Sequence, residues 1–241
     1  QLWDQLGDLR QMAVEQYQLG VLLSNRVMYE KSDLYLHAAC QSFRKLADRR
    51  YEAYSLQILS ANAMERSSLA EALAYIEQAY DLFLVVNDQR GVAGALNYMG
   101  RIYNKQGNCE RAIEAHQRAA DVAQAIDYRF ALTDAHRSMC VIHLEKGNWL
   151  AARQHIYEAV LVGETSGNRL LILAVLAAAV GVLAADDRLL IAADVAATIQ
   201  TTTDETLILQ MLEPHLAIVN VAEGTPMSVA EASGLVKKLY R

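Results

Sequence analysis

A chain of 241 residues that is 53% apolar, with only 12 Gly and 2 Pro, has little turn punctuation and is predicted to form long helices in one continuous body. Its formal net charge of −6 supplies no basic patch, which excludes direct nucleic-acid binding by this segment, and no basic amphipathic stretch points to a membrane surface. Three scattered cysteines, Cys40, Cys109 and Cys140, have no CxxC spacing and read as reduced thiols of a cytoplasmic protein rather than a disulfide frame.

A forty-residue period organises the chain. Residues 89–128 laid over the next forty bring Gly107-Asn108 onto Gly147-Asn148, Ala112 onto Ala152 and Ala119 onto Ala159. Shifted the other way, Asp88 falls on Asp48, Ala79 on Ala39, Phe83 on Phe43, and Met99 on Leu59 and Leu19. A fixed period of this length marks an array of helical hairpins. The predicted units are 9–48, 49–88, 89–128, 129–168 and 169–200, with a C-terminal helical cap over 201–241 packed on the last of them.

In chain order, the charged and helical N-terminus is no signal peptide, and the missing initiator Met reads as a fragment of a longer protein. Leu2, Trp3 and Leu6 are expected to end a preceding helix. The first unit opens with Met12, Val14, Tyr17, Leu19, Val21 and Leu22, a broad apolar face at helical spacing. Ser24-Asn25-Arg26 is predicted to turn the chain into a second helix carrying Leu34, Leu36, Ala39, Phe43 and Leu46. In the second unit, Ser68-x-x-Glu71 is predicted to form a capping box, in which hydroxyl and carboxylate each satisfy an orphan backbone N–H. The helix behind it runs to about Val86, and Asn87-Asp88 breaks it. The third and fourth units turn at Gly107-Asn108 and Gly147-Asn148, where Gly supplies the left-handed residue and Asn the next cap.

The fifth unit contains a run of 16 apolar residues, Leu170–Ala185. That is short of the roughly 20 needed to cross a bilayer, and it falls where the register demands a first helix, so a buried helix is predicted. Asp186-Asp187 is the expected turn and Leu189–Ile199 the second helix. In the tail, Thr202-x-x-Glu205 and Ser228-x-x-Glu231 read as capping boxes, with Pro214 a kink and Glu223–Pro226 a turn between them.

Each unit resembles a tetratricopeptide repeat with lengthened helices. The third carries the resemblance in Met99-Gly100, Tyr103, Gly107-Asn108, Ala112 and Ala119. The fourth carries it in Met139-Cys140, His143, Gly147-Asn148, Ala152 and Ala159, with Cys and His in place of Gly and Tyr. The fold implied is an all-α, right-handed superhelical solenoid of about five antiparallel helix pairs. Leu190–Ala197 and Glu223–Ala232 further resemble the C-terminal end of bacterial signal-transduction ATPases and transcriptional regulators. That resemblance implies a parent protein with an effector domain on the N-terminal side.

Enzyme signatures are absent: there is no phosphate loop, GxSxG elbow or HExxH. His136, Cys140 and His143 fall at i, i+4 and i+7, a spacing that could hold zinc, yet all three occupy core slots of the repeat and no metal or other cofactor is expected. His116 and His155 are expected to be partly exposed. What the resemblance does imply is a concave groove lined by first helices. Its ligand-facing positions, three before the small residue, are Tyr17, Gln57, Asn97, Arg137 and Ala177, with Arg101, Asn104, Asp134 and Met64 on the same face. An Asn and an Arg side by side can hold a peptide backbone and an acidic group. The reading that results is a non-catalytic protein- or peptide-binding or sensor module of a bacterial regulator. Self-association through the apolar fifth unit and tail, or a small-ligand receptor, are the alternatives.

Overall fold

The computed structural model describes residues 2–165, 169–185, 188, 192, 195, 196, 198, 199 and 226–240. The described elements are helices throughout: α1 (Leu2–Asn25), α2 (Tyr29–Lys45), α3 (Arg49–Glu65), α4 (Leu69–Val85), α5 (Gln89–Lys105), α6 (Cys109–Ala125), α7 (Arg129–Glu145), α8 (Trp149–Thr165), α9 (Arg169–Ala185) and α10 (Val229–Tyr240). From α2 to α9 a 17-residue helix begins every twenty residues, so the forty-residue sequence period is two equal structural steps.

The step is set at the helix ends. The second of the three connecting residues takes a left-handed conformation each time: Val27 (φ 61°), Ala47 (55°), Ser67 (62°), Asn87 (52°), Gly107 (78°), Asp127 (50°) and Gly147 (70°). The next residue's N–H then reaches back to a carbonyl five positions earlier, as from Met28 to Leu23, Asp48 to Phe43 and Asn108 to Tyr103, all 2.9 Å. This pairing satisfies carbonyls that the helix leaves open. Asp48 and Asp88 cap the following helices by accepting from Tyr51 N–H (3.3 Å) and Gly91 N–H (3.0 Å), and Asn108 accepts from Arg111 N–H at 3.2 Å.

Two expectations at helix starts are corrected. Helix α1 is continuous from Leu2, with no break before the first unit. Ser68 makes no side-chain cap, and the Glu71 carboxylate accepts from the Tyr75 hydroxyl at 3.2 Å and faces Arg66 at 3.9 Å instead of closing the box. The capping box at Ser228 does form: Glu231 N–H donates to Ser228 Oγ (3.2 Å) and Ser228 N–H to the Glu231 carboxylate (2.8 Å).

The chain divides into two compact units, Gln1–Val122 and Ala123–Arg241. In the first, α1 to α5 pack in sequence, with Leu36, Ala39, Phe43, Ile76, Ala79 and Phe83 closed off from solvent. The Ala39–Ala79 position stays small in every unit (Ala119 and Ala159 are also fully buried), which lets helix backbones approach closely. In the second, α9 is the core: Leu173, Val175–Val180, Val182 and Leu183 are all buried, and α10 packs across α8 and α9 with Ala232, Val236 and Tyr240. Apolar burial on all sides explains its composition, and among the described residues no helix is long and apolar enough to cross a membrane. Ala192, Val195, Ala196 and Ile199 are helical and buried, as a second helix of the fifth unit requires. The turn at Asp186-Asp187, the capping box at Thr202, Pro214 and the segment Glu223–Thr225 lie outside the described residues.

Candidate partner-binding face

The odd-numbered helices lie side by side within each unit: α1 touches α3, α3 touches α5, and α7 touches α9. The expected ligand-facing residues all come from these helices, but they meet different surroundings. Tyr17 is half-buried, edge-on to Tyr51 with ring centroids 5.7 Å apart. Burial, and the nearby Tyr51 and Tyr98 phenols, push its pKa above the ordinary tyrosine value.

Gln57 stands beside Gly94. A Cβ at Gly94 would come within 3.2 Å of Gln57 Nε2, so the glycine leaves the amide its space. The Gln57 Oε1 is buried and has no hydrogen-bond partner. On α5, Arg101 is half-buried with its guanidinium 5.2 Å from the Tyr98 ring centre, and Asn104 Oδ1 accepts from the Cys109 thiol at 3.8 Å. Asn97 is buried, and its Oδ1 lies 2.9 Å from His116 Nδ1. Met64 and Ala177 are buried in the core as well. In the second unit Arg137 and Asp134 pair with each other on α7 at 2.6 Å, both side chains about one-fifth exposed. The ladder therefore leaves Tyr17, Gln57, Arg101 and Asn104 partly open in one unit, and an internally paired Asp134–Arg137 in the other.

The histidines also resolve. His116 is fully buried, not surface, because it occupies the slot that Leu36, Ile76 and Ile156 fill in the other hairpins. His136 and His143 do not converge on Cys140, which is completely buried with its thiol pushed up to about 12 by burial. They converge instead on His155 of α8: His136 Nδ1 is 3.2 Å from His155 Nδ1, and the His143 and His155 rings stack at 5.4 Å and 9°. Burial, then the two neighbouring imidazoles, hold His155 down to about 4. Burial also lowers His136, against the nearby Glu158, and lowers His143 together with Lys146. Among the described residues no group of three or more His, Cys, Asp or Glu is arranged to hold a metal ion.

One polar cluster escaped the sequence reading. Asn62 is fully buried and donates to Ser32 Oγ (2.9 Å) and Asp33 Oδ1 (2.7 Å), accepts from Ser24 Oγ (2.5 Å), and Arg66 closes the network on Asp33 Oδ2 at 2.5 Å. A satisfied network of this kind fixes how α1, α2 and α3 seat. The signal lay in the register, where Asn62 stands in the position of Ile102 and Ile142.

No protein-family model matches the chain, and no curated protein matches it. Solved structures do match. A crystal structure of a glutamine-to-methionine variant from Podosopora anserina, of the kinesin light chain type with nearly identical TPR-like repeats, superposes with a TM-score of 0.58. It is 13% identical and the match covers 87% of this chain and 95% of that one. The fold is tetratricopeptide-like. At this identity the likeness bears on architecture alone: consecutive antiparallel helix pairs repeated along the chain.

Proposed function

We propose that this chain is a non-catalytic module of a larger bacterial regulatory protein, cytoplasmic, that binds a protein segment or peptide along α1, α3 and α5 of its first unit. The observation that carries this reading is the Gln57 amide beside Gly94. A buried carbonyl oxygen without a donor costs free energy unless something supplies one. Gln57 as a whole is only half-buried, so a rotation of its side chain turns the amide outward, where its oxygen accepts from a backbone N–H of an extended peptide and its Nε2 donates to a peptide carbonyl. Tyr17 and Arg101 flank that position in the repeat register and add an aromatic face and a fixed charge suited to carboxylates. Asn97, committed to His116, is a positioning residue in this reading rather than a ligand contact.

The test is selection of the purified chain against a random-peptide display library, followed by fluorescence anisotropy on the enriched peptides. Gln57→Ala is expected to weaken binding about tenfold, the equivalent of one hydrogen bond lost from a dry site, with helicity unchanged by circular dichroism. A library that yields no enriched peptide, or peptides that bind Gln57→Ala as tightly as the native chain, overturns the proposal.

A further inference from the structure

The connection from α2 to α3 reads Arg44-Lys45-Leu46-Ala47-Asp48-Arg49-Arg50, four cations within seven residues on a chain of net charge −6. Its second half lines a cavity of about 600 Å³, together with Arg10 of α1, Tyr51 of α3 and Val86 at the end of α4. The described lining residues all belong to the first two hairpins, so the cavity sits between neighbours in the array rather than at its end. Its size falls in the range of small-molecule sites, about 300–1,000 Å³.

The cations around it are held in different ways. Arg10 Nη2 donates to Asp48 Oδ2 and Arg50 Nε pairs with Asp88 Oδ2, both at 3.2 Å. Each carboxylate takes one nitrogen of a five-donor fork and fixes its guanidinium at the cavity. Asp48 is further occupied by the Tyr51 N–H. Arg49 is exposed, and among the described residues no carboxylate pairs with it. Three arginines against Asp48 and Asp88 leave an excess of one positive charge. The rest of the lining is apolar: Leu46, Val86 and the half-buried ring of Tyr51, which stacks on Phe43 at 5.1 Å. The forty-residue register sets this junction apart. One unit on, Gln89 stands for Arg49 and Gly91 for Tyr51, and the Phe83 ring occupies the space beside Gly91. Arg129, the next cation at that position, is taken by Asp127 and the Thr165 carbonyl.

We propose that this cavity binds a small organic anion, with one carboxylate or phosphate head held by Arg49, Arg10 and Arg50 and an apolar body against Leu46, Val86 and Tyr51. Guanidinium forks match both heads in shape and charge, and the apolar wall rewards a body that an inorganic ion lacks. Gln57 and Gly94 take no part, so this site and peptide binding stand or fall separately.

Isothermal titration of the purified chain with 1-naphthoate and with 1-naphthyl phosphate tests this, with 1-naphthol as the body alone and inorganic phosphate as a head alone. At least one of the two naphthyl anions is expected to saturate one site per chain and to bind about tenfold tighter than naphthol or phosphate; the tighter of the two identifies the head. Arg49→Ala is expected to weaken that binding about tenfold, the equivalent of one charge-assisted hydrogen bond, and Arg49→Lys to weaken it less. Arg118→Ala, which removes an exposed arginine that donates to the Tyr80 hydroxyl at 3.0 Å, is expected to leave it unchanged. Circular dichroism checks that each variant keeps its helices. The proposal is overturned if neither naphthyl anion saturates, if naphthol binds as tightly, or if Arg49→Ala binds like the native chain. Equal weakening by Arg118→Ala and Arg49→Ala overturns it as well, because the effect would then be one of overall charge.

Discussion

His116 Nδ1 donates to Asn97 Oδ1 across 2.9 Å inside the third hairpin, and both side chains are buried. The ring also explains Gly100, where a Cβ would come within 2.6 Å of His116 Nε2. A polar pair in an aliphatic slot specifies its own partner. Asn97→Ala is expected to lower stability by about 1–3 kcal/mol, the cost of burying an imidazole stripped of its acceptor. His116→Ile in the Asn97→Ala background is expected to recover most of that loss, because Ile76 and Ile156 already fill this slot elsewhere. Urea unfolding of the two single variants and the double one measures the coupling; additive losses would mean that the pair does not interact.

Residue 116 illustrates what the sequence made legible and what it did not. The forty-residue register located the hairpins, their turns at Gly107 and Gly147, and the small position at Ala39 through Ala159, because chain geometry demands the same residue type at each recurrence. It located helix ends less well where a non-glycine residue takes the left-handed conformation, as at Val27 and Ala47, since nothing in those side chains announces it. The ligand-facing positions were the hardest. Register assigns a position to a face, but whether Asn97 is a ligand contact or a core partner depends on what stands opposite, and a histidine there was unforeseeable from α5 alone. Departures from the aliphatic pattern, Asn62 and His116, were visible in the sequence and are where buried polar contacts turned up.

Gly91 and Gly234 separate two meanings of helical glycine. At Gly91 an added Cβ would run into the Phe83 ring, within 2.5 Å of Cε1, and that ring is fully buried and edge-packed on Tyr54 at 4.9 Å. Ala gains about 1 kcal/mol of helix propensity over Gly, but overpacking of a closed core costs about 1–3 kcal/mol, so Gly91→Ala is expected to be the less stable protein. Nothing lies within 4 Å of the equivalent point at Gly234 on α10. Gly234→Ala is therefore expected to stabilise the second unit. Thermal midpoints of opposite sign for the two variants check the pair.

Val27 holds φ 61° with a side chain 68% exposed. A β-branched residue there pays for the left-handed turn with no packing in return, whereas the turns at 107 and 147 use glycine. Val27→Gly is expected to stabilise the chain by about 1 kcal/mol, the strain of a left-handed L-residue less glycine's greater unfolded freedom. Gly107→Val should lose a similar amount. Equal denaturation midpoints for native chain and Val27→Gly would show that the turn is relaxed.

The three-histidine contact between α7 and α8 sets a direction for pH. His155 is held at about 4 against an ordinary 6.5, and His136 and His143 are lowered as well. A base whose folded pKa is depressed binds its proton more readily when unfolded, so acid favours unfolding. The contribution is complete above pH 6.5 and is withdrawn as pH falls towards about 4, where His155 begins to protonate in the folded state too. Of the charges nearby, Glu158 favours the imidazolium of His136 and opposes the effect, whereas Lys146 disfavours that of His143 and adds to it. Along α9, residues 172–185 carry no ionisable side chain to offset them. His155→Ala, the residue that Ala115 provides in the preceding hairpin, removes the stacked ring and both of its imidazole neighbours' repulsions. The native midpoint is expected to fall steeply between about pH 6.5 and about pH 4, and the midpoint of His155→Ala to fall less over the same span. Parallel curves for the two proteins would place the acid sensitivity in other groups.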